Sequence, residues 1–234
     1  MRLVLFDIDG TLLLAGGVGK RAFQKAFMKH YDRVADLSGI RFEGKTDPQI
    51  IREVLGDMGI DRRSKNQLSQ SLYPSYISFL REEISTSDNF QMLPGVRQLL
   101  VRISRDSRFL LGLATGNMKE GARLKLERVG LNEFFPFGGF GSDSESRTEI
   151  IRKAIEKGRK RLPSNDFESV IVIGDTPQDI IHGRRAEAQT LAVATGAFSL
   201  QELRAYHPDL AVLGLEPVEP VFAFLSGNPP APQP

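Results

Sequence analysis

The chain has 234 residues, with 31 Lys and Arg against 29 Asp and Glu, a formal net charge of +2, 22 Gly, 13 Pro and neither Cys nor Trp. That length makes one large domain or two smaller ones, and a composition 41% hydrophobic and 26% charged belongs to a globular protein rather than a disordered, fibrous or membrane chain. The absence of Cys excludes disulfides, zinc ribbons, cysteine-ligated clusters and thiol nucleophiles, and the nearly cancelling charges leave no footprint for nucleic acid.

In chain order, the first apolar run, Leu3 to Phe6, reads as a buried strand that stops at an Asp. It is too short for a signal sequence, and no stretch approaches the length of a membrane span, so the expected compartment is the cytoplasm, with no membrane partner. Gly16, Gly17 and Gly19 follow as a hinge. Three amphipathic patterns come next: Arg21 to Tyr31, Asp47 to Met58 and Leu72 to Ile84, the last with Tyr73, Tyr76, Ile77 and Leu80 on one stripe. Leu93-Pro94-Gly95 turns the chain into a helix over Val96 to Ile103. Apolar runs at Phe109 to Ala114, Phe135 to Phe140, Val170 to Ile173, Thr190 to Ala194 and Leu210 to Leu213 then read as strands. Helical patterns over Arg147 to Lys157 and Thr176 to Ala188 lie between the later ones.

Strands alternating with helices predict an α/β fold, a Rossmann-like parallel sheet covered on both faces. The first two strands break the alternation, because roughly 100 residues separate them where a crossover needs only about a dozen. The economical reading is an inserted helical cap domain over 15–93, with the α/β core formed by 1–14 and 94–225. The Pro-rich end, 226–234, is expected to be extended or disordered.

Asp7, Gly10 and Thr11 follow the first strand, Thr115 and Gly116 the second, and Asp175 and Asp179 the fourth. Ligands of open α/β sheets bind beyond the carboxyl ends of the strands, so these segments can converge on one crevice. A phosphate ester with a divalent cation gives each segment a task. Asp7 can attack phosphorus and form an acyl phosphate. Asp9 faces the same side if the strand's period of two persists, and can protonate the leaving oxygen and later deprotonate water. Thr115 and the backbone amides around Gly116 and Asn117, at an expected helix start, can hold phosphoryl oxygens. Asp175 adds an oxygen donor for Mg2+, without which the clustered carboxylates would repel one another and the substrate.

Phe6-Asp7-Ile8-Asp9-Gly10-Thr11-Leu12 resembles the first motif of the haloacid dehalogenase-like hydrolase superfamily, Ala114-Thr115-Gly116-Asn117 its second and Gly174-Asp175-Thr176-Pro177-Gln178-Asp179 its fourth. Gly16-Gly17, Gly44-Lys45-Thr46-Asp47 and Leu93-Pro94-Gly95 are similar to the phosphoglycolate phosphatase-like branch. The resemblance implies a Mg2+-dependent phosphatase acting on a small phosphorylated metabolite through an aspartyl phosphate, as a monomer or homodimer. It implies Asp7 as nucleophile and metal ligand, Asp9 as general acid and base with its main-chain carbonyl on the metal, Thr115 as phosphate binder, Asp175 as the remaining metal ligand and Asp179 as a carboxylate that positions the site. Asp9 favours phosphoryl transfer over carbon–halogen cleavage, since dehalogenases of this fold lack it. A phosphomutase, or a regulatory protein that has lost turnover, are the alternative readings.

The third motif departs from the family pattern. Its usual Lys is missing from Gly141-Ser142-Asp143-Ser144-Glu145-Ser146-Arg147-Thr148-Glu149. Two cations can replace it: Arg147, near the usual place and always charged, and Lys125, on an apolar helix stripe where an ammonium is out of place unless it reaches an anion. Lys45 and Asp47 either face the leaving group or cap the helix that begins near Pro48, and the branch resemblance favours the substrate role for both.

Overall fold

The computed structural model of the chain describes residues 1–32, 37, 39–59, 62–162 and 166–228, without the side chains of 62–70. The chain opens with β1 (Arg2–Phe6) and the short β2 (Leu13–Leu14). Three helices follow, α1 (Val18–Tyr31), α2 (Asp47–Asp57) and α3 (Arg62–Thr86), and then β3 (Gln91–Met92). Next come α4 (Val96–Ser104), β4 (Phe109–Ala114), α5 (Lys119–Arg128), a single 3-10 turn (Asn132–Phe134) and β5 (Gly138–Gly139). The rest is α6 (Arg147–Arg159), β6 (Ser169–Gly174), α7 (Pro177–Arg185), β7 (Gln189–Val193), α8 (Leu200–Arg204), β8 (Leu210–Val212) and α9 (Val218–Leu225).

Six strands form one parallel sheet in the order β5-β4-β1-β6-β7-β8. Leu3, Val4, Leu5 and Phe6 of β1 have no exposed surface, as expected of a central strand with both faces covered. From β1 the chain builds outward on one side through β4 and β5, then returns to the other side through β6, β7 and β8, so the switch point lies at β1. The register pairs Phe6 with both Leu113 and Ile173, which brings the residues that follow β1, β4 and β6 out at one level of the sheet edge. The strand expected over Phe135 to Phe140 is reduced to Gly138–Gly139, because Asn132–Phe134 winds into a turn and Phe135 packs edge-on against Phe6 instead.

The stretch between β2 and β3, here called the insert, is closed at its base, since β2 and β3 pair antiparallel through Leu13 with Met92 and Leu14 with Gln91. Within the insert, α1 and α3 lie along one another, joined by a stack of Phe23 on Tyr76 and by ion pairs of Arg21 with Glu83 (2.5 Å) and Lys25 with Glu82 (2.8 Å). α3 also reaches α5 of the sheet domain. Among the described residues no helix is long and apolar enough to cross a membrane. Residues 226–228 close the last turn of α9 with backbone bonds to Phe222, Phe224 and Ala223, and the remainder of the expected tail, from 229 on, lies outside the described residues.

Candidate active site

Asp7 leaves the end of β1 with its amide bonded to the Ile173 carbonyl (2.9 Å) and its carboxylate buried. The period of two does not carry Asp9 beside it, because the strand stops at Phe6. A tight turn does so instead: Gly10 takes φ 78°, its amide bonds to Leu13, and a side chain there would collide with the Asp175 carboxylate. Asp7 and Asp9 thus share the wall of one cavity of about 430 Å3, together with Thr115, Asn117, Lys125, Arg147 and Asp175.

The two candidate cations divide the two carboxylates between them. Arg147 at the start of α6 is buried with its guanidinium 3.4 Å from Asp7 and in direct contact with Asp179. Lys125, buried on α5, places its ammonium 2.8 and 2.6 Å from the two carboxylate oxygens of Asp9 and 2.7 Å from the Asn117 side-chain oxygen. Asn117 in turn donates to Asp9 (2.8 Å) and to the Thr115 hydroxyl (2.9 Å).

Asp7, Asp175 and Asp179 each offer an oxygen within 4.8 Å of the others. The Asp9 carboxylate, an expected metal ligand's side chain, lies on Lys125 and outside this group, which leaves its main-chain carbonyl as the ligand expected there. Asp179 is committed on both oxygens: Thr176 donates to one from its amide (3.1 Å) and hydroxyl (2.6 Å), and Arg147 donates to the other. That leaves Asp7 and Asp175 to supply carboxylate oxygens to an ion, and an all-oxygen set of this kind fits Mg2+. The electrostatics agree with the fit. Burial pushes Asp7 up to about 6, with Arg147 pulling down and Asp179 pushing up. Burial, then Asp179 and Asp7, push Asp175 well above the usual carboxylate range. Burial works against the Arg147 charge, but Asp179 and Asp7 more than reverse it and hold the guanidinium above its ordinary value. Three buried carboxylates facing one Arg have a net negative charge that a divalent cation relieves.

The expected helix start at Gly116-Asn117 is displaced, since α5 begins at Lys119 after Met118. The Met118 amide is already taken by Asp47 from α2 (2.8 Å), and the Asn117 amide bonds to the Thr115 hydroxyl (3.3 Å). Asp47 also donates its own amide to the Gly116 carbonyl (2.9 Å), and a side chain on Gly116 would collide with the Lys45 carbonyl. The loop before α2 therefore rests directly on the loop carrying Thr115 and Asn117. Thr46, with Gln49, caps α2, so Asp47 is released for this contact. The sequence favours a substrate role for Asp47, whereas its carboxylate is engaged by the Met118 amide. The adjacent Thr46 and Gln49, a complete capping box, were the signal that the capping role was filled. Lys45 lines the same cavity but is ion-paired with Glu53.

The pattern of the haloacid dehalogenase-like hydrolases matches residues 4–193 of the chain. Pyrophosphatase PpaX of Oceanobacillus iheyensis is 24% identical over 214 residues, 91% of this chain and 92% of that protein. A haloacid dehalogenase-like family hydrolase from Streptococcus pneumoniae superposes with a TM-score of 0.64 at 21% identity, over 95% of this chain and 97% of that one. CbbY from Rhodobacter sphaeroides, in complex with phosphate, superposes with a TM-score of 0.68 at 14% identity, over 92% and 95%. At these identities the two structures establish likeness of fold.

Proposed function

The chain belongs to the haloacid dehalogenase-like hydrolase family, and from that premise we propose that it is a Mg2+-dependent phosphatase that cleaves a small phosphorylated metabolite through an aspartyl phosphate on Asp7. The observation that carries this reading is the separate pairing of the two acids at the end of β1, Asp7 with Arg147 and Asp9 with Lys125, in one cavity. Two carboxylates held apart in this way suit two different tasks.

An Asp7 oxygen attacks phosphorus in line and the bond to the ester oxygen breaks, while Asp9 delivers a proton to that oxygen. The Thr115 hydroxyl, oriented by Asn117, and the Gly116 backbone amide hold the non-transferring phosphoryl oxygens, and Arg147 balances the charge that Asp7 and the phosphoryl group bring together. Asp9, returned to the carboxylate, then takes a proton from water as the water attacks phosphorus, releasing phosphate and restoring Asp7. Lys125 and Asn117 hold the Asp9 carboxylate in position for this second step. Asp7, the Asp9 main-chain carbonyl and Asp175 would hold Mg2+, which supplies charge neutralisation for the phosphoryl oxygens. Asp179 positions Arg147 and the start of α7. The insert resting on the β4–α5 loop screens the acyl phosphate from bulk water.

Phosphate release from an aryl phosphate tests the reading. It should require Mg2+ and stop on chelation; turnover unaffected by chelation would remove the metal from the account.

A further inference from the structure

The cavity over Asp7 has two unlike halves. The sheet side is made of the charged and polar groups described above. The side contributed by β2 and the insert is apolar: Leu14, Phe23, Ile40, Phe42, Ile50 and Tyr76 line it. Phe23 and Tyr76 stack with centroids 3.9 Å apart and 9° between planes and, each 1% exposed, back that wall from the core, while Leu14 and Phe42 are its half-buried members. Burial, then Asp47 and Asp9, hold the Tyr76 phenol well above its ordinary range, so the wall stays uncharged at neutral pH.

Charge on this side also cancels. The insert adds Lys20 and Lys45 to the lining, and it adds Glu43 and Asp47. Lys45 is paired with Glu53. Asp47 accepts from the Met118 amide. A second phosphoryl group or a carboxylate on the leaving group would lose its hydration beside Leu14 and Phe42, with no net positive charge among the described residues of this wall to receive it. An apolar leaving group loses nothing there and gains from leaving water. The cavity, about 430 Å3, has room for the phosphoryl group and a fragment the size of one ring, and it shares Glu43, Gly44, Lys45 and Arg147 with a larger neighbouring cavity.

We propose, resting on the phosphatase reading, that the substrate is a monophosphate ester whose leaving group is uncharged and apolar-faced, and that Phe42 is a specificity-determining residue. The inference separates this chain from the relatives named pyrophosphatases, because a diphosphate places a second anion where the wall is apolar.

The test uses the full-length protein with Mg2+ and four substrates: benzyl phosphate, ethyl phosphate, pyrophosphate and phosphoglycolate. Benzyl and ethyl alcohols are leaving groups of similar basicity, so their comparison reads the wall and not the chemistry. The kcat/KM for benzyl phosphate should exceed each of the others at least tenfold. Phe42→Ala, a truncation at a half-buried site, should cut the benzyl-to-ethyl ratio by at least about fivefold, a readout that a general loss of folded enzyme does not move. Pyrophosphate or phosphoglycolate as the fastest substrate, or a ratio unchanged in Phe42→Ala, would overturn the inference and leave the phosphatase reading standing. Calorimetric binding of benzylphosphonate against ethylphosphonate reads the same wall without turnover. Tighter binding of benzylphosphonate with no phosphate released from any of the four would overturn the phosphatase reading instead, and equal binding would overturn the inference.

Discussion

Arg147 is almost wholly buried: it is 6% exposed, touches Asp179 and stands 3.4 Å from Asp7. Arg147→Ala leaves two buried carboxylates without their cation, a change that costs about 3 to 5 kcal/mol when one partner of a buried pair is removed. We expect that loss in chemical denaturation, together with at least a hundredfold fall in kcat/KM, and expect Arg147→Lys to recover part of both. Lys125→Met is a different lesion. It keeps the volume on α5 but leaves Asp9 and Asn117 without their shared donor, so kcat should fall by more than tenfold, about 1.4 kcal/mol, while KM changes little. Retention of activity within threefold in both variants would remove the division of cations from the account. The sequence named both residues as substitutes for one missing Lys. It did not divide them between two carboxylates, because that depends on how far α5 and α6 each reach across the sheet edge, and residue spacing along one chain does not contain that distance.

At the scale of elements, what was legible followed from patterns that physics makes local. The apolar runs of β1, β4 and β6 and the stripes of α1, α2 and α6 are periodic signals, and the structure has each of them within a few residues of the expected bounds. The β2–β3 ribbon was not legible, since two-residue strands separated by a whole insert carry no periodicity. The joint between α2 and the β4–α5 loop was equally hidden. It makes its own prediction through Asp47, which burial raises from the ordinary 3.8 to about 6 despite Lys125 and the Met118 amide. A carboxyl raised on folding contributes stability that is full below the unfolded value and is lost as pH rises through the folded one. Asp47→Asn keeps an acceptor for Met118 and has no such loss. Between about pH 4 and pH 7 the stability difference should shift toward the variant by about 1 to 3 kcal/mol. A difference flat across that range in urea titrations would show that Asp47 is not buried at this joint.

For the whole molecule, the near-zero net charge conceals a strong local imbalance, with three buried carboxylates gathered at the switch point of the sheet. A cation that binds only the folded state stabilises it by mass action, by about 2.7 kcal/mol at a hundred times its dissociation constant. Millimolar Mg2+ should therefore raise the melting temperature by several degrees, and Asp175→Asn should abolish that rise; an equal rise in the variant would place the ion elsewhere. The sheet was legible because its strands alternate with helices along the chain. The cavity between sheet and insert was not, because its wall exists only once the helices of the insert are laid over the sheet. The central claim is that Asp7 is the nucleophile. Mg2+-dependent phosphate release from an aryl phosphate, measured for the wild-type chain and Asp7→Asn with circular dichroism to verify the fold, tests it most directly. The account predicts a loss of at least a thousandfold in a variant that is still folded, and hydrolysis within tenfold of the wild type would contradict it.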